Sequence, residues 1–581
     1  MSKTRQSMFG ARLSMFGALS GTLIVLLCLC CFPSLTSQGV LARATATPAA
    51  SSSQAASNSP QDAAAQSDNS LTKGADTRIT PAQAKELFAS VNTILQFASQ
   101  DTGYPIQHPV KRRLVTREQV VQYLTEQLQK EHETQRLQRS ELVLKKFGLL
   151  DRDFHLGPFL IQLLREQIAG YYNDKTKTVN LLDWIGPEAQ KPVLAHELTH
   201  ALQDQHIRLE KWDQQTEEST AKNVAQDNEH LAKDEDDTVR DAVLEGQAMA
   251  VFIDYALAPA NKNLLTAPGL VDKMKEAMSD NADSPVMARA PLLLQQSLIF
   301  PYREGLNFII AVLKAKGKEA AFAGTMDHPP SSTYEVMNPK AYLNHAKIPL
   351  LTMPDIHGLI EQDYKPYDVG VMGELDVRIL MALFDGQQAA DVLAPAWRGG
   401  LYYAAQNKQA TNAEKATTAS LSLLYLSRWA TPEAARSFAD IYATEIEKKY
   451  DHVIARTPVS HGNAQGNQGA VAERIWDTSE GPVLIAVSGK TVFISESFPL
   501  PLAHKLEFVM MGSIADTAQS MVADNMQPHV ELDSSLRQYL WNTSVNTGIL
   551  WAAMQRAGLE IKNSARIPCV DIRRHVAPVI Y

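Results

Sequence analysis

The sequence predicts an α+β fold, mainly α-helical. Apolar residues recur at helical spacing along most of the chain, as Leu87, Val91 and Leu95 do near its start. Two stretches, 170–182 and 482–495, have strand–turn–strand character instead. Of the 581 residues 45% are hydrophobic, enough for a large core and incompatible with a wholly disordered chain. The formal charge is −9, from 55 Lys and Arg against 64 Asp and Glu, so no cationic excess favours nucleic acid as a partner.

Taken in order, residues 1–44 read as a signal peptide or N-terminal membrane anchor. Lys3, Arg5 and Arg12 precede the uncharged stretch Met15–Phe32, the basic-then-apolar order of a secretory signal. Ser37-Gln38-Gly39 and Ala42-Arg43-Ala44 offer small residues for cleavage. The chain is therefore expected to be exported: periplasmic, at the cell surface or secreted. Membrane contact is expected only if this segment stays uncleaved. The segment holds Cys28, Cys30 and Cys31, which leaves Cys569 without a partner for an intrachain disulfide. Residues 45–79 form a linker, nearly devoid of large apolar side chains as far as Asn69.

Periodic structure begins at Thr80-Pro81, a capping residue followed by the proline favoured at a first helical position. Helices are predicted from there, near 116–130 and near 135–147, giving an N-terminal helical region over 80–157. The region 158–260 starts with a helix at Phe159–Ile168. Gly170-Tyr171-Tyr172, a turn, and Thr178–Leu182 then form a strand pair. Helices at Lys191–Ile207 and Thr238–Leu257 follow, separated by a polar excursion. The acidic run Asp234–Asp237 reads as a solvated helix start, where the macrodipole favours carboxylates. Residues 261–455 are expected to be mainly helical. The C-terminal region, 456–581, combines a Gly- and Asn-rich loop, a hairpin around Ser488-Gly489-Lys490 and a helix from Leu500.

The residues that carry chemistry are His196-Glu197-Leu198-Thr199-His200. Four residues along an α-helix amount to one turn plus about 40°, so both imidazoles leave the same face. Two neutral imidazoles suit a borderline-soft divalent ion such as Zn²⁺. Glu197 lies beside that face, where its carboxylate can take a proton from a water held there. Val193, Leu194, Leu198 and Leu202 give the helix an apolar side.

A zinc site needs a third protein ligand, and two residues compete for the role. His206 completes the spacing His196-Glu197-x-x-His200-x-x-x-x-x-His206, which matches the metzincin pattern in length. That pattern has glycine where this chain has Gln203. If the helix continues past it, His206 lies about 9 Å further on and about 120° off the ligand face. Glu245, on the predicted helix Thr238–Leu257, is the other candidate. Gly246 and Ala248 would let that helix approach another backbone closely, the His196 helix being the expected neighbour. Asp241, one turn before Glu245, could orient a ligand imidazole.

Gly170-Tyr171-Tyr172-Asn173-Asp174, Leu194–His206 and Glu245-Gly246-x-Ala248 together resemble the gluzincin-type, peptidase-MA-like bacterial zinc metallopeptidases, and within them a group of exported proteins. The close resemblance covers about 158–258. A looser one continues through Pro301–Gly305, His328–Thr333, Gly373-Glu374-Leu375 and Trp397–Gly400. It implies a zincin-like core with zinc on His196, His200 and Glu245, Glu197 as general base, and a peptide or protein substrate. It also implies that the strand after Tyr172 lines the cleft; an extended substrate would pair with an unpaired edge of Thr178–Leu182. Tyr302, His328 and Tyr334 are candidates to stabilise an oxyanion. Two alternatives stay open: an exported zinc-binding or interaction protein without turnover, and metzincin-like coordination through His206.

Overall fold

The computed structural model describes residues 78–520, apart from 129–130, 168–169, 213–222, 279–283, 347–349 and 457–471. The expected signal or anchor, the linker to residue 77, all four cysteines, most of the Gly- and Asn-rich loop and the end of the chain lie outside the described residues. The fold is α+β and mainly helical.

The elements that position the site are the helices α1 (Pro81–Thr102), α2 (Pro187–Ile207), α3 (Asp236–Leu257) and α4 (Leu292–Lys316), with the strands β1 (Lys111–Val115), β2 (Tyr171–Asn173) and β3 (Thr178–Leu182). The start of α1 is the one expected: Thr80 and Gln83 form a reciprocal capping box with Pro81 at the first position, and Gly103 closes the helix at φ 84°. Helix α2 starts four residues before the expected Lys191. Gly186-Pro187 is the true start, and Pro192 falls inside the first turns. From Val193 to Asp204 every residue of α2 is buried, as befits a helix enclosed on all sides.

The small sheet has the order β1-β3-β2, with β1 parallel and β2 antiparallel to β3. This corrects one expectation. Thr178–Leu182 has no unpaired edge, because the basic segment Lys111–Val115, unrecognised as a strand, occupies it; the edge strand beside α2 is β2.

Residues 261–455 are mainly helical, as expected, but they also hold strands. That region contains β4 (Tyr364–Val371), β5 (Trp397–Asn407) and β6 (Leu421–Trp429) besides its helices. They join β7 (Ile454–Ala455), β8 (Ala472–Thr478), β9 (Gly481–Ser488) and β10 (Thr491–Glu496) in one antiparallel sheet, ordered β4-β5-β6-β10-β9-β8-β7. The hairpin of β9 and β10 is the predicted one, turning through Gly489 at φ 54°. Edge strand β4 carries Pro366 and an irregular register between Pro366 and Asp368.

Both faces of this sheet are covered. Leu423, Tyr425, Val483, Ile485, Val492 and Ile494 face the main core, with α5 (Glu374–Asp385) and α6 (Pro432–Lys449). The alternate residues Leu424, Leu426, Leu484, Ala486 and Phe493 face a second core under α7 (Leu500–Ser520). With both faces buried, Leu421–Trp429 is an apolar run rather than an alternating one, and periodicity alone does not separate such a run from helix.

The acidic run is also unlike its expectation. Asp234 and Glu235 are buried. Asp234 accepts from the Val371 amide at 2.7 Å, and Glu235 accepts from the Thr333 hydroxyl at 2.6 Å, so they tie the start of α3 to β4 and to the His328–Thr333 segment.

Candidate metal centre

Helix α3 lies against both α2 and α4, and the backbone contact is with α4. A Cβ on Gly246 would sit 2.4 Å from the carbonyl carbon and oxygen of Gly305, and one on Gly305 would sit 2.1 Å from the Ala242 oxygen. The close approach predicted at Gly246 is real, but its partner is Gly305 rather than the His196 helix. Only two facing glycines permit it. It fixes α3 at the depth from which Glu245 reaches the histidines of α2.

His196, His200 and Glu245 form a buried group whose ligand atoms converge. The two Nε2 atoms are 3.1 Å apart, and Glu245 Oε2 lies 3.1 Å from His196 Nε2 and 3.6 Å from His200 Nε2. An ion bound tetrahedrally at about 2.0–2.1 Å separates its ligand atoms by roughly 3.3–3.4 Å, so these spacings fit one. The unmet polar demand fits as well: Glu197 Oε1 has no hydrogen-bond partner, and the Glu245 carboxylate is met by the two imidazoles at 3.1 and 3.6 Å without a well-aligned hydrogen bond. Orphaned polar atoms at such depth are costly unless something balances them. The group can hold a metal ion.

The electrostatics divide the two carboxylates. Burial opposes ionisation of Glu245, but the His200 and His196 rings beside it outweigh burial and hold its carboxyl down to about 2. Glu197 is pushed well above the ordinary carboxyl range, first by burial and then by the Glu245 charge; the Tyr172 amide pulls it part of the way back. Burial also lowers His196, which favours the neutral imidazole a metal requires, against the opposing pull of Glu245.

Sequence reasoning missed the support around His200. Gln203 Oε1 lies 2.7 Å from His200 Nδ1, while its Nε2 donates to the Leu244 carbonyl and to Gln247 Oε1, both at 3.0 Å. Because the amide nitrogen is spent on those two acceptors, the oxygen must accept from His200, which puts the proton on Nδ1 and leaves Nε2 bare. Gln247 is held in turn by donating to the Phe322 carbonyl at 2.8 Å and by accepting from the Tyr104 hydroxyl at 3.0 Å. The signal was visible: Gln203 replaces the helix-breaking glycine one turn after His200, and Gln247 follows Glu245 by two.

Glu197 is positioned by β2. The Tyr172 amide donates to Glu197 Oε2 at 2.9 Å. The β2–β3 hairpin is fastened to the end of α2 by Asp204, which accepts from the Tyr172 hydroxyl at 2.7 Å and from Lys177 Nζ at 2.7 Å.

The other candidates separate. Tyr302 is buried and parallel to the His196 ring, centroids 6.3 Å apart. Burial, then the Glu245, Glu197 and Asp241 charges, drive its phenol far above its ordinary value. Asp241 is thus felt at Tyr302, while the support found for a ligand imidazole is Gln203. Helix α2 runs unbroken to Ile207, and His206 packs on Tyr104 with Nε2 3.9 Å from Asp327 rather than joining the metal group. His328 is exposed, with its carbonyl accepting from Tyr342. Tyr334 lies under the Arg398 guanidinium and beside Trp397.

Compared with known proteins, the chain matches no protein-family model. It matches no curated protein and no solved structure either.

Proposed function

We propose that this chain is an exported zinc metallopeptidase of the gluzincin type, with His196, His200 and Glu245 as ligands and Glu197 as general base. The observation that carries this reading is the convergence of three ligand atoms from two helices, with a second, differently tuned carboxylate, Glu197, adjoining them. Bound there, Zn²⁺ would supply a Lewis acid that acidifies a water toward pKa of about 7 and polarises a carbonyl.

The protein residues do the rest. Glu197 Oε2 is held by the Tyr172 amide, which leaves Oε1 to accept a proton from the attacking water and return it to the leaving amine. An extended peptide would add to the edge of β2, next to Glu197. The Tyr302 phenol, kept protonated by its surroundings, is the donor suited to the oxyanion.

One observation favours a second reading, an exported protein that binds zinc without turnover. All four site side chains are essentially inaccessible, His196, Glu197 and His200 at 0% and Glu245 at 1%. The same variants separate the readings and the ligand sets. Glu197→Gln should retain zinc and lose cleavage of a mixed peptide substrate; Glu245→Ala should lose zinc, and His206→Ala should not. Zinc binding by the parent with no cleavage of any peptide would favour the second reading, and zinc loss in His206→Ala alone would favour metzincin-like coordination.

A further inference from the structure

The seven-stranded sheet carries a second group of ligand-type side chains, on a different part of the fold. Glu473 lies on β8, and His504 and Glu507 lie on α7. The helical pair is three residues apart, so both side chains leave one face of α7, and Glu473 meets them from the strand. One ligand atom from each falls within 4.8 Å of the other two. His504 Nε2 stands 3.4 Å from Glu473 Oε2, is shielded from solvent and makes no hydrogen bond.

Glu507 is the informative member. It is only 7% exposed, and the charge felt at its carboxyl is that of the Glu473 carboxylate, which opposes its ionisation alongside burial. A simple His504–Glu473 ion pair would account for two of the three groups. It leaves a second carboxylate within 4.8 Å of the first, with one imidazole between the two, an arrangement that like charges disfavour. A divalent cation between the three removes that conflict.

We propose that Glu473, His504 and Glu507 form a second metal site, for a first-row divalent transition ion such as Zn²⁺ or Mn²⁺. One imidazole with two carboxylates suits those ions, whereas Ca²⁺ and Mg²⁺ favour sets made only of oxygens. His504 is partly exposed, so water can complete the coordination and the ion has a route in. The site clips α7 to β8. It depends on neither the His196 group nor the peptidase reading.

The test uses the full chain carrying His196→Ala and Glu245→Ala, so that the first site is silent. Equilibrium dialysis against Zn²⁺, and separately Mn²⁺, should show about one ion per chain. Adding Glu507→Gln, or His504→Ala, should weaken that binding by more than the roughly 10–100-fold expected when only an outer partner is lost. In the first-site-silent chain the same ions should raise the urea midpoint, read from tryptophan fluorescence, and should not do so once Glu507→Gln is added. Glu507→Gln keeps the shape of the side chain, so circular dichroism should show it folded. No ion bound by the first-site-silent chain would overturn the proposal and leave a proton-sharing carboxylate pair; equal binding with Glu507→Gln would overturn it too.

Discussion

Replacing Gln203 by leucine tests whether the proposed zinc site is built by its surroundings as well as by its ligands. Leucine is close in volume to glutamine and keeps the helix, so what is lost is polar. Three hydrogen bonds go: His200 Nδ1 to Oε1, and Nε2 to the Leu244 carbonyl and to Gln247 Oε1. Gln247 Oε1 keeps the Tyr104 hydroxyl, and the Leu244 carbonyl lies inside α3, where the helix supplies a donor. His200 Nδ1 alone is orphaned. One buried orphan costs about 1–3 kcal/mol and each of two other lost bonds about 0.5–1.5 kcal/mol, so the variant should lose roughly 2–6 kcal/mol of stability. Freed of its acceptor, His200 can also carry its proton on Nε2, the nitrogen facing Glu245. Zinc affinity should then fall about 10–100-fold. Urea unfolding in chelator measures the first effect, and competition with a chromophoric chelator at fixed pH measures the second. Gln203→Glu, which restores an acceptor, should recover part of the affinity. Unchanged zinc affinity in a normally folded Gln203→Leu protein would refute the tautomer argument.

Other perturbations probe the residues around the site and in the core. Gly246→Ala drives a Cβ into the Gly305 backbone, so α3 and α4 must separate; stability should fall by at least about 1–3 kcal/mol and zinc affinity with it, measured by urea titration and chelator competition. Tyr302→Phe should leave zinc content unchanged and lower kcat about 100–1,000-fold on a peptide substrate if the phenol stabilises the oxyanion; an unchanged kcat would remove it from that role. Asp254 should make stability fall with rising pH. Burial, then the Asp101 charge, pushes its carboxyl up to about 7, above its unfolded value near 3.9, so its contribution is intact below about pH 4 and lost as the pH passes 7. Asp254→Asn should therefore gain stability over the parent at pH 8 and not at pH 4, read from urea midpoints across that range.

How much was legible depended on whether a local rule matched the tertiary environment. Thr80, Pro81 and Gln83 announce the start of α1 because a capping box is self-contained. His196, His200 and Glu245 were nameable because helical spacing fixes the first two, and Gly246 marked a close contact on the third residue's helix. Which helix made that contact was illegible, since the complementary signal, Gly305, lies 59 positions further on, by the difference of the two numbers. Strand β1 was hidden because Lys111-Arg112-Arg113 expose their side chains and the strand is held by its backbone pairing with β3. Strands β5 and β6 were hidden for the opposite reason, burial on both faces. The acidic run misled because composition favours solvated carboxylates, whereas Asp234 and Glu235 each meet a backbone amide supplied from far along the chain.

The large sheet ends badly for any intruder. On one side Pro366 lacks an amide hydrogen and the register slips beside it; on the other, β7 contributes a mere two residues. Among the described residues, a neighbouring copy approaching either outermost strand meets a ladder that is broken at Pro366 or only two residues long. A protein with a broad antiparallel sheet can thus sit at high local concentration, with its own rims discouraging fibrous stacking.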